Sequence, residues 1–538
     1  MQATWVLNCL FLTMTMISAP PLTKAEVYTS INDLTAVFAM ERRVVAALTS
    51  YVDDMETRLN KIKRYLQDYE QVSAEGPATD EVMMERLAGN PVHAFHLMKR
   101  ITVDWRHIED QAKVDHWRGV EEAMRNVGVG VKLPREEDLH GAAQALIRLH
   151  DVYNLNMTQL VRGNVWGVES TAEMTSQDCL FMGKHSFNLG LYPRAIQWFE
   201  EAYTLAGEES NTTVTQEQVN MFLNTAIKAY DENIASQVGN EEEEVHKEDF
   251  SASLRDDHNK KKNEKVPKYR LGVDLTPPED ADNFQALCRG EQLLNESYQA
   301  TLSCFYDSRD DYYLKLMPVK VERHHWHPEL LTFHDVLTDN EIAHIKLLAQ
   351  PVLARAMVQG AQGKGNTISN TRTSKVGWLD DSVHPLVAKI GDRIQRISKL
   401  STNMVSEDAE LLQVANYGIG GHYNPHHDYL LVDKTEKELL HNINPRELVM
   451  GDRIATFMFY LSDVTRGGAT AFPRLGTAVW PSKGSAAFWF NLKKSGHADI
   501  ATLHGACPVV HGSKWVSNKW IRERGQFLRR KCGMCPDE

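Results

Sequence analysis

The sequence predicts a multidomain protein of α plus β class, helical through its first half and built from short strands with few helices in its last third. Three observations carry that expectation. At 538 residues and 42% hydrophobic content, the chain is long enough for three or four domains with cores of their own. Apolar residues keep helical spacing from Ile31 to about Ala235, and beyond a charged stretch they switch to short strands. The net charge of -13 argues against nucleic acid as a main partner, because phosphate binding needs a concentrated basic face and none is visible.

The chain opens with an apolar run, Trp5 to Ile17, too short to span a bilayer. Small residues, two prolines and Thr23-Lys24-Ala25 follow, an end that suits signal-peptidase cleavage. Residues 1–25 therefore read as a secretory leader, the competing reading being a buried N-terminal helix. No later segment is apolar for long enough to cross a membrane, so no span is expected and a lumenal protein is. Cys9 leaves with the leader. Cys179, Cys288, Cys304, Cys507, Cys532 and Cys535 remain, and their spacing predicts two local loops, Cys288 paired with Cys304 and Cys507 with Cys532. Cys532 and Cys535 also form a C-x-x-C pair, but no second pair exists to complete a zinc site. The sequons at Asn156, Asn211 and Asn295 are expected glycosylation sites.

From Ile31 onward, Leu34, Phe38, Val45, Leu48, Val52, Met55, Leu59, Ile62, Leu66 and Tyr69 fall three and four apart, with Glu41 alone breaking the register. So narrow and long a seam is that of a coiled coil, meeting either a second copy or the protein's own later helices. Helical patterns over Pro91–Lys113 and Glu136–Tyr153 complete this N-terminal region. Gly183, Gly190, Tyr192, Ala195, Phe199 and Ala202 then approximate the small and large positions of a tetratricopeptide hairpin. One such hairpin is legible. Tyr192, Trp198, Tyr203 and Tyr230 could line an aromatic groove for an extended proline-rich peptide, or could pack a core. Glutamates 241–244 and a lysine-rich stretch at 260–265 mark a solvated linker. Past it, Thr338-Asp339-Asn340-Glu341 offers a capping box for a helix through about Gln350.

The stretch Asn416-Tyr417-Gly418 through Tyr423-Asn424-Pro425-His426-His427-Asp428 carries a His-x-Asp triplet, a weak signal in a chain with 22 histidines. Its value comes from geometry. Residues two apart share one face of a strand, so His426 and Asp428 can address one metal while His427 turns away. A second histidine from a later strand would complete a face of two imidazoles and one carboxylate, leaving three octahedral positions open. His504, at the edge of an apolar strand, fits this better than His497 in a polar turn or His511 in a Gly-flanked loop. Ten residues on, Lys514 alternates with Trp515 and can turn inward, where a lysine suits the far end of a dicarboxylate chelated by the metal. A surface lysine is the competing reading.

Together these segments, with Arg453-Ile454-Ala455-Thr456, Gly467-Gly468-Ala469-Thr470-Ala471-Phe472-Pro473, His504-Gly505-Ala506-Cys507-Pro508 and Lys514-Trp515-Val516-Ser517-Asn518-Lys519-Trp520, resemble the alpha subunit of collagen prolyl 4-hydroxylases. The resemblance spans the C-terminal domain and, more loosely, the whole domain order. It implies a double-stranded β-helix (jelly-roll) catalytic domain in which His426, Asp428 and His504 hold iron(II) and Lys514 grips the distal carboxylate of 2-oxoglutarate. It also implies that Tyr417 and Tyr423 line the cofactor pocket, that Thr456 helps bind the cosubstrate, and that Trp520 lies near the substrate.

The implied activity is hydroxylation at C4 of peptidyl proline in collagen-like X-Pro-Gly sequences, using dioxygen and converting 2-oxoglutarate to succinate, with L-ascorbate as a rescuing reductant. The implied assembly is an alpha2-beta2 tetramer with protein disulfide isomerase as beta subunit, in the endoplasmic reticulum lumen. The organisation expected is leader 1–25, coiled-coil or dimerisation domain 26–165, reduced tetratricopeptide-like peptide-binding domain 170–236, linker 237–268, connecting segment 269–330 and dioxygenase domain 331–538. Competing functions are a hydroxylase of lysine or of another secreted peptide, and a catalytically weak collagen-binding chaperone subunit.

Overall fold

A computed structural model of the chain describes residues 31–73, 99–113, 117–125, 136–170, 172–209, 214–238, 269–356, 372–432, 434–435 and 445–535. The expected leader, most of the charged linker, Asn211 and part of the polar loop after Asp428 lie outside the described residues. The chain divides into two compact units, one over Asn32–Leu133 and the other holding Pro134–Glu538.

In the first, helix α1 (Ile31–Ser73) runs for 43 residues, about 65 Å at the rise of an α-helix. Its predicted seam is largely open: Phe38, Val45, Val52, Met55, Leu59, Leu66 and Tyr69 are exposed. Tyr51 meets Trp117 edge-on at 5.4 Å between ring centroids. Helices α2 (Trp105–Lys113) and α3 (Arg118–Arg125) follow.

The second unit begins with α4 (Glu136–Tyr153), where the sequence predicts it, and α5 (Met157–Val161), capped by Asn156. A short hairpin, β1 (Asn164–Val165) with β2 (Val168–Glu169), leads to three consecutive helices. Helix α6 (Ser176–Asn188) starts at a capping box of Thr175 and Asp178 and is followed by Gly190 at φ 76°. Helix α7 (Tyr192–Glu208) begins with Pro193 and packs on both α6 and α8 (Gln216–Val238). The glycine spacing has a physical cause: a Cβ on Gly183 would lie 2.4 Å from the Phe199 ring, so only glycine lets α6 and α7 approach. The third helix of this layer, α8, falls within the stretch that helical spacing marks.

Helix α9 (Pro277–Cys288), opened by a capping box of Thr276 and Glu279, crosses to the sheets. These are β3 (Cys304–Asp307), β4 (Val319–His325), β5 (Leu330–His334), β6 (Ala354–Arg355), β7 (Lys375–Leu379), β8 (Leu412–Tyr417), β9 (Tyr423–His426), β10 (Arg453–Tyr460), β11 (Arg466–Gly467), β12 (Thr470–Phe472), β13 (Thr477–Val479), β14 (Ala486–Phe490), β15 (His504–Ala506), β16 (Val509–His511) and β17 (Lys514–Arg522). One antiparallel sheet has the order β3-β4-β5-β14-β10-β17-β8-β7-β6, another the order β13-β12-β15-β9, and β11 pairs with β16.

Ala415, Tyr417, Met458, Trp489 and Val516 of the larger sheet pack against Phe472, Val479, Ala506 and Val509, so the two sheets enclose a core. The far face of the larger sheet is covered by α10 (Asp339–Ala349) and α11 (Pro385–Ser398). Helix α10 carries the predicted Thr338–Glu341 capping box and ends at Ala349. The far face of the smaller sheet, through Ala469, Ala471, Cys507 and Val510, meets the helical layer that holds Trp198, Phe199 and Phe284.

The expected disulfides are corrected. Cys288 is bonded to Cys507, 219 residues away, whereas Cys304 and Cys532 are exposed thiols. The reason lies in the layering. Helix α9 ends against the smaller sheet and delivers Cys288 to the residue after β15, while Cys304 sits on the opposite edge of the larger sheet. Loop spacing along the chain does not see contacts between layers.

Candidate active site

The pocket between the sheets is built by strand alternation. On β17, Lys514, Val516, Asn518 and Trp520 all turn to it, as do Thr456 and Met458 of β10. Tyr417 of β8 pairs in register with Lys514, and His426 of β9 with His504 of β15. Asp428 lies two residues beyond the end of β9, in a bend, so strand alternation alone does not account for its direction.

One donor atom each from His426, Asp428 and His504 lie within 4.8 Å of one another, the metal-ligand grouping found among the described residues. His426 Nε2 is 3.7 Å from Asp428 Oδ1, and His504 Nε2 is 3.6 Å from Asp428 Oδ2. The opposite ring nitrogens face backbone carbonyls: His426 Nδ1 is 2.8 Å from Asn424 O and His504 Nδ1 is 2.9 Å from Thr502 O. Those acceptors put the protons on Nδ1 and leave both Nε2 lone pairs for a cation.

Thr456 Oγ1 donates to Asp428 Oδ2 at 2.6 Å, and Asn491 Nδ2 donates to Thr456 Oγ1 at 2.9 Å. Burial works against the Asp428 charge. The nearby His504, His426 and Arg453 with the Thr456 hydroxyl outweigh it and hold the carboxyl below its usual range, while burial keeps His426 neutral. Two imidazoles and one carboxylate, held by outer hydrogen bonds, are the donor set that suits a divalent iron with open positions.

Lys514 is 1% exposed, and its Nζ reaches Thr470 Oγ1 at 3.3 Å and Ala469 O at 3.5 Å. Among the described residues no carboxylate lies within ion-pair distance of it, and burial lowers its pKa to about 7. Lys519, on the other face of the same strand, is equally buried but meets Asp381 at 3.3 Å. Lys514, unlike Lys519, thus has no counter-charge among the described residues.

Tyr417 is buried with its ring 5.7 Å from Lys514 Nζ, and Tyr423 stacks on His426 at 3.6 Å between centroids. Thr456 lines the pocket, but its hydroxyl is engaged by Asp428, which makes it a positioning residue for the carboxylate. Trp520 lines the pocket beneath the Arg453 guanidinium at 3.9 Å, and among the described residues its indole N–H has no partner. His427 turns aside and stacks on Tyr429.

The expected aromatic groove is not formed as drawn. Trp198 is fully buried in the helical core, while Tyr192 and Tyr230 are half-buried on separate helices.

Sequence reading missed Arg372, Thr470, Asn491 and Asn518. Asn518 was within reach, since it sits between Lys514 and Trp520 at period two. Thr470 stood in the Gly-Gly-Ala-Thr segment without a role. Arg372, which lies over the Tyr423 ring at 4.8 Å, and Asn491 come from segments with no periodicity to mark them.

Comparison with known proteins agrees with both halves of the chain. Residues 30–167 match the model of the prolyl 4-hydroxylase alpha-subunit N-terminal region, and residues 412–522 match that of the 2OG-Fe(II) oxygenase superfamily. The chain is 35% identical to prolyl 4-hydroxylase subunit alpha-2 of Gallus gallus over 534 residues, covering 95% of this chain and 96% of that one. It is 35% identical to subunit alpha-1 of Homo sapiens over 529 residues, covering 94% and 95%. Among solved structures, the viral collagen prolyl hydroxylase of Paramecium Bursaria Chlorella virus-1 in its 2OG complex is similar at 26% identity and a TM-score of 0.27, covering 36% of this chain and 95% of that chain.

Proposed function

This chain belongs to the prolyl 4-hydroxylase alpha-subunit family, and from that premise we propose that it hydroxylates C4 of proline in collagen-like X-Pro-Gly sequences. Its reaction class is 2-oxoglutarate-dependent hydroxylation of proline. The observation that carries the substrate-level reading is a single pocket holding the His426, Asp428 and His504 donors together with a buried, unmatched Lys514.

His426, Asp428 and His504 would hold iron(II). Bound there with 2-oxoglutarate and dioxygen, the metal supplies the oxidising power that turns C–H into C–OH, the cosubstrate leaving as succinate and carbon dioxide. The chain's own residues do the positioning. Asn424 and Thr502 carbonyls fix both imidazoles, and Thr456, oriented by Asn491, holds one oxygen of Asp428 in place. Lys514 pairs with the distal carboxylate of the cosubstrate in a dry environment where that pairing is strong. Tyr417 and Tyr423 wall the pocket together with Trp520 and Arg372.

The finer architecture belongs to the same proposal. The two facing antiparallel sheets support a double-stranded β-helix, and the Gly183–Phe199 approach supports a reduced tetratricopeptide-type layer in α6 to α8. The exposed seam of α1 supports a dimer with a second copy, within an alpha2-beta2 assembly with protein disulfide isomerase. Residence in the endoplasmic reticulum lumen, ascorbate as reductant, and glycans on Asn156, Asn211 and Asn295 complete the reading; Asn156 and Asn295 are exposed. Among the described residues no helix is long and apolar enough to cross a membrane.

The test is succinate release and 4-hydroxyproline formation by the chain co-expressed with disulfide isomerase, given iron(II), ascorbate, 2-oxoglutarate and a Pro-Pro-Gly repeat peptide. Peptide-dependent turnover that disappears in His426→Ala and Lys514→Ala is the expected result. Peptide binding without any succinate or hydroxyproline would instead favour the chaperone reading.

A further inference from the structure

Asp428 stands in a bend beyond the end of β9, so its direction depends on how the chain is held on either side of it. Upstream, His426 is fixed by the pairing of β9 with β15. Downstream, the chain leaves the sheet and returns at β10, and the first residues of this excursion meet its last. Leu430 N donates to Asp452 Oδ1 at 2.7 Å, and Leu431 N and Val432 N each donate to Asp452 Oδ2 at 2.8 Å. Arg453 N donates to Oδ1 at 2.7 Å. Four short bonds from the backbone thus satisfy a carboxylate that is only 3% exposed.

Asp452 is itself tethered to the end of β17. Its N–H donates to Glu523 Oε2 at 3.3 Å, its carbonyl accepts from Glu523 N at 2.9 Å, and Arg522 Nη1 donates to Gly451 O at 2.9 Å. The start of β10 therefore grips the segment from Asp428 to Val432 at three levels. Thr456 holds the Asp428 carboxylate, Arg453 Nη1 reaches the Asp428 carbonyl at 3.4 Å, and Asp452 takes the three N–H groups that follow. Three successive N–H groups turned on one anion form a nest, and removing the anion leaves those donors without a partner. Thr456 alone would then have to orient a carboxylate carried on a loosened bend.

We infer that Asp452 is a positioning residue for the metal site: by closing the neck between Leu430 and Arg453, its carboxylate fixes the bend from which Asp428 meets the imidazoles of His426 and His504. The inference rests on the metal reading given above. Asp452 touches neither the metal donors nor the pocket, and acts only through the backbone beside Asp428. A staple that served folding alone would raise the melting temperature and leave metal affinity where it is.

The experiment compares the full chain, co-expressed with disulfide isomerase, with its Asp452→Ala, Asp452→Asn and Asp428→Ala variants. Each is stripped of metal and titrated with cobalt(II), read by its visible absorption, while hydrogen exchange across residues 429–432 and the melting temperature are recorded. For Asp452→Ala the expected result is a cobalt(II) Kd raised about tenfold to a hundredfold, an altered visible spectrum and loss of amide protection over residues 430–432. Asp452→Asn keeps the shape and one acceptor oxygen, so it carries the test should the alanine variant fail to fold, and its Kd rises in the same direction by less. Loss of cobalt(II) binding in Asp428→Ala, with wild-type Kd and spectrum in folded Asp452 variants, would overturn the staple and leave the metal site standing. Equal Kd in wild type and Asp428→Ala would overturn both, and would identify the metal reading as the one that failed.

Discussion

The pocket between the sheets and the helical layer behind it use aromatic and polar residues to opposite ends. On β17, side chains two apart leave the strand on one side, so Lys514, Asn518 and Trp520 converge on a shared space. In the helical layer, Trp198 and Phe199 turn into the core, while Tyr192 and Tyr230 stay half-buried on different helices. A period of two directs polar residues into an enclosed space only if something there needs them. A helix buries its aromatics whenever their stripe meets a neighbour, and the burial says nothing of a ligand.

The sharpest way to break this contrast is to remove a donor. His504→Ala or Asp428→Ala should abolish iron retention, measured by metal analysis of the purified protein, and with it hydroxylation. Activity surviving in either variant would show that the convergence is structural only.

Lys514→Ala comes next, with the KM for 2-oxoglutarate raised about a hundredfold and peptide KM unmoved, as loss of a buried charge-assisted contact implies. Thr456→Val, which keeps the shape but loses the hydroxyl, should weaken iron affinity or turnover about tenfold to a hundredfold. An unchanged iron titration would remove its positioning role.

Protonation refines the comparison further. Burial lowers the free Lys514 to about 7, so above that pH the empty site holds a neutral amine and must take up a proton to bind a dianion. The KM for 2-oxoglutarate should therefore rise by about tenfold per pH unit above pH 7 and be flat below it. A flat profile to pH 9, measured by succinate release, would mean that Lys514 stays charged in the empty pocket. For folding the sign is opposite at this residue: the unfolded chain binds the extra proton, so the cost of burying the lysine falls as pH rises from about 7 towards the ordinary lysine value.

On the helical side, Trp198→Ala should cost about 3–5 kcal/mol of stability, as large-to-small core changes do, and lower the melting temperature accordingly. A stable variant with weakened peptide affinity would restore the groove that its burial argues against.

How much of this was legible in the sequence differs between the same two regions. His426, His504 and Lys514 were readable because strand alternation and a metal's demand for mixed imidazole and carboxylate donors constrain each other. Asp428 joins the donor group by a geometry that alternation does not supply, since the strand ends before it. Trp198 was left between groove and core because aromatic content does not distinguish the two. The Cys288–Cys507 bond was hidden because it joins two layers brought together only by folding. The cap at Thr338 was legible to within a residue because it is local.

The reach of Lys514 has a further consequence. Its amine crosses from the larger sheet to Thr470 on β12, whereas the imidazoles stand on β15 and β9 of the smaller sheet. Neighbouring strands lie ~4.8 Å apart whatever their sequence, so once Thr470 holds the amine over β12 its separation from the imidazoles on β15 and β9 depends on strand spacing as well as on the Lys514 side chain. The sheet then acts as a calliper. A diacid held at both ends is measured against that separation, and one a methylene shorter or longer fits it less well.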